Sequence, residues 1–477
     1  MHELLLFALK EAKRLGAEYA DIRFAERTKE PLAIKNGVVQ EIRVQEERGF
    51  GVRVLVKGAW GFASSNSFNQ TNIKSIVEEA TIIAKASAVA MKKPFILSPM
   101  QPITDTFRTI VKVDPFKMPL AKRIDFLKAL DQELMSHPQI KVAQSSLNAF
   151  KEHKWFASTE GRFIEQETME TGCTLSATAV GNGDVQTRSF RDYAQAGFEC
   201  VLDMNLAAIA KNLSKEAVDL LVADTCPKGE TALILGSSQL ALQIHESCGH
   251  PIELDRVYGT EVSFAGTSFM NPDMLGKYQY GSKQVNIVAD ATIPGGLGTF
   301  GYDDEGVPAQ RTTIIDQGLF VNYLTSRETA QTLGKLSNGT MRAEGPSNVP
   351  LVRMVNINLE PGEWTTDEII RDTKHGIFME SPKSWSLDDK RLNFHFSTEY
   401  AYEIVNGEKG RLLKNPAYTD MTTHFWNACD AVAGKNKDEW HLWGMPSCAK
   451  GEPMQIANVA HGAAPARFRN IKVGVGK

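Results

Sequence analysis

Cysteine is scarce in this chain: six in 477 residues, at positions 173, 200, 226, 248, 429 and 448, with no CxxC pair. That excludes a disulfide framework and a four-cysteine zinc knot. It also fits a reduced, cytoplasmic protein. Long apolar runs are missing as well. The longest, Leu4 to Leu9, is far short of the ~20 residues a bilayer requires. Glu3, Lys10 and Glu11 surround it and no small-residue cleavage site follows, so no signal peptide is expected. Neither charge dominates: 53 Lys+Arg against 57 Asp+Glu leaves a net charge of −4. Without a basic footprint, nothing supports direct nucleic-acid binding. What is present, 42% hydrophobic and 23% charged residues, is ordinary globular composition and excludes disorder. At roughly 100–200 residues per domain, two or three domains are expected.

The N-terminal half alternates helical and strand patterns. Leu5, Leu9, Ala12 and Leu15 recur at helical spacing before Gly16. Strand-like text follows from Tyr19 to Ser64, with Asn36-Gly37 and Lys57-Gly58 as tight turns. A second helix spans 72–91, with Ile73, Ile76, Val77, Ala80, Ile83 and Ala84 on one side. Five prolines between 94 and 119 predict a linker or irregular loop. Pro119 then opens a third helix, with Leu120, Ile124, Leu127, Leu130 and Leu134 as its stripe. A second β-rich block, from Lys141 to about Glu199, loosely repeats the first and suggests a duplication. A helix near 206–223 closes this half. Beyond it, glycine and alternating apolar residues predominate and long helical patterns are few. The chain therefore reads as α+β. Mixed or antiparallel sheets with helices fill two N-terminal units, 1–98 and 99–222. A larger β-rich domain, 223–477, follows and carries the chemistry.

That chemistry is concentrated in Gln239–Arg256, where His245, Glu246 and His250 form an H-E-x-x-x-H pattern on an expected helix. Ser237 or Ser238 could cap its start. In H-E-x-x-H the two histidines share one helix face and the Glu between them is a general base. One extra residue changes the geometry. At about 100° per residue, spacing five separates the imidazoles by roughly 140°, against roughly 40° for spacing four. For both to reach one ion the backbone must widen or break. Gly249 and Pro251 flank His250 and could allow a break; a π-type bulge would also serve. Glu253 and Asp255 are candidate outer groups. A zinc site needs a third protein ligand and an open position. Spacing leaves Cys448, Cys429, Glu253 and His461 all available, with Cys448 in a Gly/Pro-rich segment read as a loop. Pro294–Gly301 is glycine-rich but lacks the Gly-Lys-Ser/Thr of a phosphate loop. Arg342 and Arg353 could hold a substrate carboxylate. Asp303, Asp304 and Glu305 show no recognisable second metal spacing.

Taken in order, the motifs resemble those of the TldD/PmbA family of zinc metallopeptidases. They include Gly16-Ala-Glu-Tyr-Ala-Asp-Ile-Arg23, His245-Glu-Ser-Cys-Gly-His-Pro-Ile-Glu-Leu-Asp255, Gly301-Tyr-Asp-Asp-Glu-Gly306, Arg353-Met-Val-Asn356, the Cys448 segment and His461-Gly-Ala-Ala-Pro465. The likeness is weakest over 383–440, and the family's Cys-Gly-Lys is Cys448-Ala449-Lys450 here. The resemblance implies that His245, His250 and Cys448 bind one Zn²⁺ and that Glu246 is the acid/base. It implies hydrolysis of unfolded or extended peptides. It further implies a homodimer, or a heterodimer with a like-folded PmbA/TldE-type chain lacking the motif. A protein-binding modulator with a structural metal and a zinc amidohydrolase of small substrates are the rival expectations.

Overall fold

The computed structural model describes residues 1–263 and 265–475. Residues before about 222 build one eight-stranded sheet. Its order is Ala59–Ser65, Gln45–Val56, Tyr19–Lys35, Ile140–Ser158, Arg162–Gly181 and Ile103–Arg108. Val38–Ile42 and Asp184–Ala194 join at the sides. The turns expected from local chemistry are present. Asn36 and Gly37 take φ of 49° and 76°, and Lys57 and Gly58 take 50° and 68°, the left-handed pair a two-residue hairpin turn needs. The two expected units meet at the middle of this sheet, where Tyr19–Lys35 pairs antiparallel with Ile140–Ser158 from Asp21↔Ser158 to Lys35↔Gln144.

Two helix pairs cover this sheet. His2–Arg14 and Gln70–Ala90 bury Leu5, Leu9, Ile73 and Val77 against Ile22, Phe24, Val52 and Val54. Leu120–Leu134 and Leu206–Leu220 do the same against Leu147, Leu175 and Ala177. Three local expectations need correction. Ile83 and Leu120 are exposed; Thr81 takes the buried place on its helix because its hydroxyl bonds the Val77 carbonyl at 2.7 Å. The 94–119 segment is not all loop, since Ile103–Arg108 adds a parallel strand to Arg162–Gly181. The prolines flank that strand rather than interrupt it.

The C-terminal region closes a sheet on itself. His375–Leu387 pairs with Gly229–Leu235, Gly229–Leu235 with Ala466–Val475, Ala466–Val475 with Pro416–Met421, and Pro416–Met421 with Asn393–Val405. Asn393–Val405 then returns to His375–Leu387. Against this ring lie a four-stranded sheet and the hairpin His441–Lys450/Gln455–Ala463. One large apolar cluster, including Leu240, Ile244, Ile287, Met354, Phe396 and Phe468, fills the space between them.

The acidic run Asp303–Glu305 ties the two regions together. Asp304 meets Lys154 at 2.8 Å and Arg23 at 3.8 Å, and Glu305 meets Arg53 at 3.4 Å. In the glycine-rich run, a side chain at Gly296 or Gly298 would collide with Asn356 or Val355. The close approach there is to the chain itself. Among the described residues, no helix is long and apolar enough to cross a membrane.

Candidate metal centre

Every residue from Gln239 to Arg256 is buried. The segment begins as the α-helix Ser237–Ile244, turns π-helical over His245–Gly249 and tightens to a 3₁₀ turn over His250–Ile252. A π turn closes over five residues instead of four. It therefore restores to one side the two histidines that an α-helix would splay. Their rings lie 4.9 Å apart, at 90°. Ser247 anchors the turn. Its hydroxyl donates to the Gln243 carbonyl at 2.5 Å and accepts from Trp426 Nε1 at 2.9 Å, and its carbonyl accepts from Tyr280 at 3.0 Å. Gly249 has ordinary helical dihedrals, φ −57° and ψ −57°. Its value is space, because a Cβ would run into Met354 Sδ. Neither Ser237 nor Ser238 caps the helix. Gly236 is the cap residue, and Glu380 accepts from the Ser238 hydroxyl at 2.8 Å.

Cys448 comes from 198 residues away in sequence, and its Sγ lies 3.8 Å from His250 Nε2. It sits not in a loop but on the strand His441–Lys450. The register slips between Met445 and Cys448, and Ser447 takes φ of 72°. Such a bulge re-aims the next side chain, here into the interior. Ala449 pairs with Ile456 and is exposed, so an alanine is accommodated there. Arg353 holds the strand in place, donating to the Cys448 carbonyl at 2.5 Å and the Gln455 carbonyl at 3.0 Å. Arg342 likewise donates to the Asn458 carbonyl at 2.8 Å. Both arginines are committed to backbone carbonyls of the fold.

His245, His250 and Cys448 each offer a ligand atom, and these atoms all lie within 4.8 Å of one another. The four key residues are sealed: His245 is 5% exposed, Glu246 6%, His250 4% and Cys448 6%. Burial lowers the pKa of His245 and pushes that of His250 well below the ordinary histidine value, which favours the neutral, ligating form. Burial opposes a Cys448 thiolate. The His250 contact and the Arg353 guanidinium favour it, and the pKa falls below that of a free thiol. Two imidazoles and a thiol with these tendencies are a donor set suited to a borderline-soft ion such as zinc. Cys429 lies on a separate core strand, outside this cluster.

A second layer surrounds the cluster. Glu253 Oε2 is 3.0 Å from His250 Nδ1, and Glu253 Oε1 accepts from the Met354 amide at 3.2 Å. Lys450 Nζ stands 3.4 Å from Glu253, 2.7 Å from Asp255 and 3.4 Å from Glu261. His461 Nε2 is 2.7 Å from His245 Nδ1. Glu246 points its carboxylate at Arg391. Arg391 sits at φ 62° in the turn between two barrel strands, where Asp388 accepts from the Leu392 amide at 2.8 Å. Sequence reasoning missed Arg391 because its segment carries no motif. It also missed Lys450, although the Lys of Cys-Ala-Lys was the available signal. A cavity of about 1290 Å³ lies elsewhere, over the N-terminal sheet beside Arg27, Arg48, Lys151 and His153.

Comparison with known proteins agrees with this architecture. Three family models match: PmbA/TldA metallopeptidase domain 1 over residues 20–84, the central domain over 113–222 and the C-terminal domain over 228–474. A metalloprotease of Methanocaldococcus jannaschii is 35% identical over 421 residues, spanning 87% of this chain and 89% of its own. A zinc metalloprotease TldD homolog of Saccharolobus solfataricus is 25% identical, covering 98% of both. In fold, the chain matches a Thermotoga maritima protein described as a modulator of DNA gyrase, with TM-score 0.80, 18% identity and 99% of both chains covered. It also matches TldE of Thermococcus kodakarensis, with TM-score 0.75, 15% identity and coverage of 99% of this chain and 100% of that one. With all three family models in register along its length, the chain belongs to the TldD/PmbA family of metallopeptidases.

Proposed function

We propose that this chain is a zinc-dependent peptidase acting on unfolded or extended peptides, with one ion per chain. The observation that carries the reading is the convergence of His245, His250 and Cys448 with Glu246 on the same π turn. His245 and His250 would hold the ion through Nε2 and Cys448 through Sγ, leaving a position for substrate or water. When bound, such an ion polarises the scissile carbonyl and lowers the pKa of water. Glu246 takes a proton from the attacking water and delivers it to the leaving amine as the C–N bond breaks. Arg391 orients the Glu246 carboxylate and stands over the site on a partly exposed turn.

One feature supports an extended peptide. The strand that carries Cys448 pairs with a single neighbouring strand among the described residues. Asp192 already takes the Gly444 amide and Arg353 the Cys448 carbonyl; a peptide laid along the part of this strand that they leave open would be read through its backbone. The three-donor geometry favours a catalytic ion over a structural one, because His461 Nε2 is already engaged by His245. The enclosure of the four residues favours a second reading, an amidohydrolase of small substrates.

Glu246→Gln, assayed on an unstructured peptide with zinc content measured, decides the mechanism. The expected result is full metal retention with cleavage slowed by about 10²–10⁴-fold. Wild-type cleavage with metal retained would overturn it. A series from dipeptide to 20-mer separates the two substrate classes, since the peptidase reading expects rate to rise with length.

A further inference from the structure

The hydrogen bonds behind His245 determine where its proton resides. His461 is fully buried on the strand Gln455–Ala463. Its Nδ1 lies 2.9 Å from the Ile357 carbonyl. A carbonyl only accepts, so Nδ1 of His461 carries the proton and its Nε2 is bare. That bare nitrogen is 2.7 Å from His245 Nδ1, which must therefore be the donor. His245 is left with its proton on Nδ1 and a free lone pair on Nε2. The two rings stand at 83° with centroids 4.9 Å apart, which fixes the plane of His245 as well as its tautomer.

We propose that His461 is a positioning residue: it relays the Ile357 carbonyl to His245 Nδ1 and so presents His245 Nε2 to a bound metal. This rests on the metal-site reading above. The two histidines are then oriented by different means. His250 is held by a carboxylate, Glu253, with the Lys450 ammonium beside it. His245 is held by a neutral imidazole, and no ion pair reaches His461 among the described residues. The chemistry is suited to its place. Cys448 and Glu246 already bring negative charge to the interior, and a second carboxylate behind His245 would add a buried anion with no cation to balance it. A neutral relay fixes the same tautomer without that cost.

The test uses the full-length chain and Zn²⁺ alone, with dissociation constants measured by chelator competition. His461→Leu removes the acceptor and should weaken zinc binding by about 10–100-fold, the usual effect of losing a ligand's outer hydrogen bond. His461→Gln keeps an acceptor for His245 and a donor for Ile357. It should stay within about threefold of wild type on the same scale. Unchanged affinity in the Leu variant, or equal losses in both, would overturn the proposal. A second measurement does not depend on any variant. In the ¹⁵N-histidine spectrum of the metal-free wild-type chain, His245 and His461 should both appear as Nδ1–H tautomers. An Nε2–H signal at either position would overturn it. Neither readout involves hydrolysis, so this inference and the peptidase reading fail separately.

Discussion

Among the described residues, two groups of side chains could gather a cation by distance alone. One is His245, His250 and Cys448; the other is His153, Glu165 and Glu167 on the N-terminal sheet. In the second group His153 Nε2 is already 2.8 Å from Glu165 and 3.7 Å from Glu167, and Arg108 reaches Glu167 at 3.2 Å. The side chains there are 31%, 30% and 44% exposed, and the imidazole lies on Trp155 with centroids 3.7 Å apart. Its lone pairs and charges are satisfied by one another and by water. In the first group the outer partners sit on the opposite ring atoms, so His245 Nε2 is left bare and His250 Nε2 faces only Cys448, itself a member of the cluster. Closeness of ligating residues does not build a metal site. An outer layer that occupies the wrong atoms and frees the right ones does.

That contrast can be broken or sharpened by experiment. The largest effect is expected from His250→Ala, which should weaken Zn²⁺ binding by more than about a hundredfold, beyond an outer-layer loss, and bring peptide cleavage to background. Zinc titration of the purified variant checks it. Lys450→Met comes next. It leaves Asp255 and Glu261, whose pKa values burial already raises, without their shared cation. A loss of about 3–5 kcal/mol is expected in denaturant unfolding. Glu170 sharpens the comparison along the strand that also carries Glu165 and Glu167. It is buried, hydrogen-bonded by Asn458, and pushed up to about 7 by desolvation. The native state therefore holds a proton that the unfolded chain releases between its ordinary value of 4.5 and about 7. Stability should fall over that window as pH rises, by up to roughly 3 kcal/mol. Glu170→Gln should remove the slope and match wild type at pH 4. The smallest effect belongs to His153→Ala, under about 1 kcal/mol for an exposed pair, with the zinc stoichiometry unchanged. A drop in stoichiometry would undo the distinction between the two clusters.

What could be read from the sequence was local. Asn36-Gly37 and Lys57-Gly58 announce their turns through backbone freedom alone. The five-residue spacing of His245 and His250 demands a widened helix, and the π turn supplies it. Long-range placement was not legible. Nothing in residues 94–119 reveals that Ile103–Arg108 finds a partner beside Arg162–Gly181. Cys448 was read as lying in a loop because prolines and glycines surround it, whereas a bulge within a strand aims it. Arg391 reaches Glu246 from a turn 145 residues downstream, and no spacing rule connects them. Arg342 and Arg353, for which a substrate carboxylate and an ordinary ion pair are both open from sequence, are spent on backbone carbonyls instead.

The π turn also keeps the buried chain in frame. An insertion of one residue into a helix ordinarily rotates everything after it by about 100°, and a buried segment from Gln239 to Arg256 could not survive that rotation. Absorbing the extra residue within a single widened turn leaves the chain before and after it in frame.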